Sequence, residues 1–371
     1  MSGPGGVTVT PPLNESSVTK QINGTSCKEV DTSAHIFFMV FCSLVFVVGL
    51  FLNGFTLKVY FCRAQQQVSS SVTIYLKNLA AADFLISLCL PIRIINYASR
   101  SVPIHQVYCN FGASAFYLNM YASILFMGYI AANRYLKIVH PLGTHILQTA
   151  RAAYIISTVT WCALLAMTTT YIVLSLVTQE KLEVFPNTLS CDVLHSKQLS
   201  LYYKLVHSCS AAIFLLVLLS LVFFYYSISR RLSLAQQRQP MSPSNKKLAK
   251  SRRNMLVLVS VFCVCFVPYH LVRLPYVFLK EQISCSQTFF FLKELSIMVS
   301  VLNVCLDPLI YFIFCKAFRA QLGLKGVFST TEVATGQGAK TERRSSDGRV
   351  SSTRINRKLS LTTSTKQASV L

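Results

Sequence analysis

The chain has 371 residues, of which 53% are hydrophobic and only 13% charged. Ordinary globular domains carry about a quarter charged residues, so a water-soluble domain is excluded. The formal charge of +22 would suit nucleic acid, but its placement argues against that partner. Eight Lys or Arg and no acid lie between Arg230 and Arg253, and more follow Cys315. Basic loops beside apolar runs follow the positive-inside rule and attract anionic lipid.

Residues 1–35 are polar, with Lys20 and Lys28 offset by Glu15, Glu29 and Asp31. They show neither the apolar core nor the small-residue cleavage site of a signal peptide. "NES" at Asn14 and "NGT" at Asn23 are N-glycosylation acceptors, which fits a disordered, extracellular N-terminus. Seven apolar runs follow, near 36–62, 72–97, 107–138, 152–177, 201–229, 254–279 and 289–314. Each meets the roughly 20 residues that a membrane helix needs. An odd number puts the ends on opposite sides, with the basic third inner loop and the C-terminus in the cytoplasm.

Several polar residues interrupt these runs. Asn53 falls in span one, Asp83 in "LAAADFLISLCLP" of span two, and Ser123 in "YASIL" of span three. Asn303 and Asp307 fall in "NVCLDPLIY" of span seven. A membrane carboxylate points to function, and the gathered oxygens suit either a small hard cation or a water-bridged network. "AQQRQPMSPSNKKLAK" predicts a polar break between spans five and six.

Span six, "FCVCFVPYHLVRLPYVFLK", carries His270, Arg273, Tyr276 and Lys280. Arg273 lies about 10 Å below Lys280 along a helix, in the outer third of its span. Lys293 opens span seven opposite, and Arg93, Lys197 and Lys204 add to the same mouth, near Tyr97, Tyr117, Tyr121 and Tyr202. A cationic cup of this kind suits a phosphate head, for which the planar guanidinium is the best donor. The alternative is that Arg273 snorkels or pairs with Glu294. Many of the 13 cysteines lie inside spans as apolar packing residues. Cys27, Cys109, Cys191 and Cys285 lie in or beside outer segments, where three pairings are open.

After span seven, "KAFRAQLGL" sets Phe318 and Leu322 beside Lys316 and Arg319, the pattern of a short amphipathic helix on the inner leaflet. The tail from 327 to 371 is Ser/Thr-rich and basic, and reads as disordered. It ends in Ser369, Val370 and Leu371, the kind of C-terminus that PDZ domains take up by strand addition. No internal repeat marks inverted transporter halves. No nucleophile–base pairing, metal-ligand spacing or P-loop marks an enzyme.

The sequence resembles the rhodopsin-like G-protein-coupled receptors over residues 36 to about 325. The resemblance is carried by "NRYLKIVHP" ending span three, Trp161 in span four, "CFVPYH" in span six and "DPLIY" in span seven. It implies an all-α seven-helix membrane bundle with an amphipathic eighth helix, flanked by polar tails (1–35, 36–326 and 327–371). It also implies a heterotrimeric G protein, and arrestin, as partners. Asp83, Ser123, Asn303 and Asp307 match the positions of an allosteric sodium site, the one candidate cofactor. Arg134, Tyr135 and Tyr311 match positions that serve G-protein coupling. The family pattern implies a Cys109–Cys191 disulfide.

Two departures stand out: Asn133 replaces the usual acid before Arg134, and Phe266 stands where tryptophan is common. A neutral residue at 133 predicts raised basal activity, unless Arg134 finds another acceptor.

Within the family, "PYHLVRLPY", "FLKELSIMVSVLNVCLDP" and "FYLNMYASI" are similar to the purinergic receptors that sense ADP and UDP-sugars. That similarity implies ligand contacts from Tyr117, His270, Arg273 and Lys293, to which position and charge add Tyr276, Lys280 and Lys204. A second disulfide, Cys27–Cys285, is implied as well. Tyr203 and His207 depart from that group's pattern. The sequence therefore predicts a plasma-membrane receptor for a phosphate-bearing ligand, first a nucleotide or nucleotide sugar and second a lysophospholipid. Signalling is expected through an inhibitory G protein. A transporter or channel is the rival class.

Overall fold

The computed structural model describes residues 32–63, 70–99, 101–139, 145–178, 191–239, 242–283, 287–314 and 318. Among them, seven helical stretches are long and apolar enough to cross a membrane. They are His35–Phe61, Ser71–Ala98, Val102–Val139, Ala150–Thr178, Lys197–Arg238, Pro243–Leu279 and Thr288–Phe314, numbered here as spans one to seven. The patterning is inverted relative to a soluble bundle. Phe37, Val40, Leu44, Val47 and Phe51 recur at helical spacing along span one and are all exposed. Asn53, Asp83, Ser123, Asn303 and Asp307 are buried inside. Lipid rewards the first arrangement, and only the bundle interior can satisfy the second.

The expected cores of the spans hold, while several ends move. The helix of span one begins at Thr32, not near 36. The helix of span five runs unbroken to Arg238 and that of span six starts at Pro243, so most of the predicted polar break is helical. The reason is compositional: Leu, Ala, Gln, Lys and Arg are strong helix formers. The one helix ends at Arg238 and the next begins at Pro243, a helix start where the missing N–H of proline costs nothing. At 42 residues, the span-five helix is about 63 Å long and must project well beyond a 30 Å hydrocarbon core. Its start is capped by Ser196, whose hydroxyl accepts from the Leu199 amide at 3.1 Å.

Two irregularities position side chains. Span three contains a π-helical turn, Tyr108–Gly112, that holds Cys109. Span seven divides into Gln287–Val301 and Asn303–Phe314, with Leu302 between them. There the Cys305 amide reaches back only to the Leu302 carbonyl, a tightened turn ahead of Pro308. Spans one and seven approach closely at Gly49. A Cβ there would sit 2.5 Å from Val304 Cγ1 and 2.8 Å from Ser87 Oγ. Asn53, one turn on, donates to the Val304 carbonyl at 2.9 Å.

Of the proposed amphipathic helix, Phe318 is described. It is helical and buried, with its ring 5.9 Å from Phe55 and 6.5 Å from Tyr311. The remainder of 315–326, residues 1–31 and the tail from 327 lie outside the described residues.

Candidate ligand-binding site

The Cys109–Cys191 disulfide is formed, and it ties span three to the segment preceding span five. Beside it lies a cavity of about 450 Å³ whose lining includes Cys191, Tyr117, Tyr203, Arg273, Lys293 and Glu294. Arg273 is buried, and its Nη2 donates to the Tyr203 hydroxyl. The guanidinium carbon stands 5.4 Å from the ring centres of Tyr117 and Tyr203 and 5.5 Å from that of Tyr276. Three electron-rich faces thus help hold a cation away from bulk water. Lys293 lies 5.0 Å from the Tyr276 ring centre and 3.5 Å from Glu294 Oε1.

Glu294 does not pair with Arg273 in this arrangement. Its Oε2 accepts from Arg93 Nη2 at 2.6 Å and from the Tyr97 hydroxyl, which binds span seven to span two. The sequence places Arg93 at the mouth, yet its role is to answer this carboxylate. Among the described residues here, Arg93, Arg273 and Lys293 bring three positive charges and Glu294 one negative.

Other expected contacts fall elsewhere. His270, an expected ligand contact, packs elsewhere. Its Nδ1 lies 2.8 Å from the Phe266 carbonyl, its ring stacks on Phe214 at 3.7 Å, and it lines neither cavity described here. Tyr203 takes the orienting role. Lys204 and Lys197 are exposed, and neither is among the residues lining the cavity. Tyr202 points its hydroxyl at the Met167 carbonyl, 2.9 Å away. Lys280 belongs to the helix of span six, but its side chain lies outside the described residues, as do Cys27, Cys285, Asn14 and Asn23. That Tyr203 faces inward is legible in the sequence, since it sits one turn before His207 and away from Lys204 and Leu205, but its contact with Arg273 is not.

A second cavity, about 590 Å³, opens between spans three, four and five. It shares Tyr117, Tyr171 and Tyr203 with the first, and its remaining lining is dominated by Leu118, Leu164, Met167 and Val206.

Midway through the bundle, Asp83 gathers its expected neighbours. Ser123 donates to Oδ1 at 3.2 Å, Asn303 to the same atom at 3.4 Å, and Tyr311 to Oδ2 at 2.6 Å. The family likeness assigns Tyr311 to coupling and not to this cluster, although it falls one turn beyond Asp307 on the same helix. Both Asp307 carboxylate oxygens, Asn303 Oδ1 and Asn53 Oδ1 are buried with no hydrogen-bond partner among the described residues. Such an oxygen set fits a small hard cation, and it fits waters equally.

At the other end, Asn133 donates to Ser71 Oγ at 2.8 Å. Arg134 does find another acceptor: its Nη2 meets the Phe314 carbonyl at 3.4 Å, and the guanidinium lies 4.8 Å from the Phe314 ring centre. Tyr135 stacks on Phe224 at 4.6 Å.

Residues 53–311 match the model of the 7 transmembrane receptor (rhodopsin family) group. Among similar proteins is purinoceptor 14 of Bos taurus, 36% identical over 75% of this chain and 82% of that protein. G-protein coupled receptor 87 of Mus musculus is 32% identical over 83% of this chain and 84% of its own length. Purinoceptor 13 of Homo sapiens is 29% identical over 80% of this chain and 83% of its own.

Proposed function

The chain belongs to the rhodopsin family of seven-transmembrane receptors, and on that premise we propose that it responds to an extracellular phosphate-bearing small molecule anchored by Arg273 and Lys293. Proteins of this family are receptors that act on heterotrimeric G proteins, not enzymes or transporters. The observation that carries the reading is a buried guanidinium and a buried ammonium lining one cavity beside the disulfide. Arg273 supplies the planar fork that suits phosphate, and Tyr203 and the surrounding rings hold it in place. Two purinoceptors among the relatives favour a nucleotide or nucleotide sugar, and the purinergic likeness favours an inhibitory G protein. The cavity then faces outside, with the N-terminus there and the basic segments in the cytoplasm.

The test is a G-protein biosensor screen of nucleotides and nucleotide sugars, followed by substitutions compared at matched surface density. Losing one partner of a buried charged contact costs about 2–5 kcal/mol, so Arg273→Ala is expected to lower agonist potency by ~30-fold or more. Arg273→Lys should recover part of it, since a point charge cannot reproduce the fork. Unchanged potency in Arg273→Ala would remove the phosphate anchor.

The oxygen cluster around Asp83 supports a further element of the same reading. Asp83, Ser123, Asn303 and Asp307 would hold a sodium ion that favours the inactive state, with Tyr311 closing the Asp83 side.

A further inference from the structure

The five residues Arg230, Arg231, Leu232, Ser233 and Leu234, near the end of the span-five helix, recur with one change as Arg357, Lys358, Leu359, Ser360 and Leu361. A looser copy, Arg343, Arg344, Ser345 and Ser346, stands between them. Each sets paired cations three and two residues before a serine, and all three fall in segments that charge assigns to the cytoplasm. A serine kinase with an acidic substrate groove reads this pattern, because a carboxylate can hold each guanidinium bidentately. In the first copy the determinants are open to solvent: Arg230, Arg231, Ser233 and Leu234 are all exposed. Kinases take their peptides extended, however, and here the motif is helical, with Leu232 at its centre fully buried. The helix end is also clipped to its neighbour. Asn245, a buried residue in the first turn of the span-six helix, donates from Nδ2 to the Gln239 carbonyl at 2.6 Å and to the Ala235 carbonyl at 3.5 Å. Presenting Ser233 to a kinase therefore means breaking this clip and freeing Leu232, a local unfolding that sets how often the site opens.

We propose that Ser233 is a phosphorylation site for a serine kinase that selects paired basic residues, and that Asn245 guards it by holding the end of span five helical. In the transfer, Ser233 Oγ bonds to the γ-phosphorus of ATP as the bond from that phosphorus to the β–γ bridging oxygen breaks. ADP leaves, and the hydroxyl proton is released. The product carries a charge of about −1.5 to −2 near a helix C-terminus, where a negative group opposes the helix dipole. Phosphate thus disfavours reclosure of the clip and makes the opened end persist.

The experiment incubates the full-length receptor in lipid nanodiscs with ATP and the catalytic subunit of the cyclic-AMP-dependent kinase. Mass spectrometry follows phosphate at Ser233, Ser346 and Ser360, and a free peptide of residues 228–236 serves as the substrate control. Nanodiscs leave both faces accessible, so neither the orientation of the chain nor its ligand enters the result. Ser233 is expected to be modified. Arg230→Gln should slow that modification by about tenfold or more and leave Ser346 and Ser360 unchanged. Asn245→Ala removes the clip and should speed Ser233 alone by about three- to tenfold. Ala235→Gly keeps the carbonyl but loosens the helix, and should speed it by about fivefold. If the free peptide is modified while Ser233 stays untouched in the unmodified receptor and in both opened variants, the site is overturned. So it is if Arg230→Gln leaves the Ser233 rate unchanged, since the paired cations are then not being read. Equal Ser233 rates in the unmodified receptor, Asn245→Ala and Ala235→Gly overturn the guard.

Discussion

Tyr203 separates charge from geometry at the anchor. Tyr203→Phe keeps the ring 5.4 Å from Arg273 but removes the hydroxyl that accepts from it. A hydrogen bond to a charged group contributes about 1.5–3 kcal/mol, so agonist potency should fall about tenfold while surface expression holds. A change below twofold in dose–response curves would show that the rings alone fix the guanidinium. The Arg93–Glu294 pair makes a different demand, because both side chains are buried. Glu294→Leu strands Arg93 and should destabilise the receptor by about 3–5 kcal/mol. The double change Arg93→Met with Glu294→Leu should recover most of that loss. Thermal unfolding of the two variants beside the unmodified receptor checks this, and equal loss in the single and double variants would rule out pair-breaking as the cause.

At the level of elements, spans one and seven are locked by the missing side chain at Gly49. Gly49→Val would press on Val304, a β-branched residue with little freedom to turn aside. Folded, surface-exposed receptor should therefore fall sharply, and Val304→Ala should restore a measurable share of it. Surface labelling of the single and double variants decides the point. The seven spans were legible in the sequence because 20-residue apolar runs admit few other readings. Their ends were not. Residues 230–253 carry both loop signals, in Pro240, Ser242 and Pro243, and strong helix formers, and the helix formers prevail to Arg238 and again from Pro243. The division at Leu302 was equally hidden, since Pro308 marks a disturbance without saying at which residue the helix gives way.

For the whole molecule, the mid-bundle cluster joins spans two, three and seven. If sodium binds the inactive state better, raising sodium should weaken agonist binding, and Asp83→Asn should abolish that dependence. Radioligand competition across sodium concentrations tests it; identical curves for the two receptors would leave the cluster to water. Because Arg134 already meets the Phe314 carbonyl, Asn133→Asp should leave basal signalling near its starting level, as measured by the biosensor without agonist. The cluster's members could be read from sequence because a carboxylate in a greasy span is conspicuous. The ligand site was only half legible. Arg273 and Lys293 stand out as charges in apolar runs, whereas Tyr203 is one tyrosine among 17 and gains its meaning only from the crossing of spans five and six. His270 misled for the opposite reason: one turn from Arg273, it sits close in sequence yet turns toward Phe214.

The acceptor that answers Arg134 is a main-chain carbonyl, and this has a genetic consequence. A carboxylate partner can be erased by one codon change, but no missense variant at position 314 deletes a carbonyl. Phe314→Leu would strip away only the ring 4.8 Å from the guanidinium centre. Variants that release this restraint should therefore concentrate at residues that shift the backbone of span seven, since substituting Arg134 would also remove a residue expected to serve coupling. A saturation library scored for constitutive signalling would show position 314 as comparatively silent.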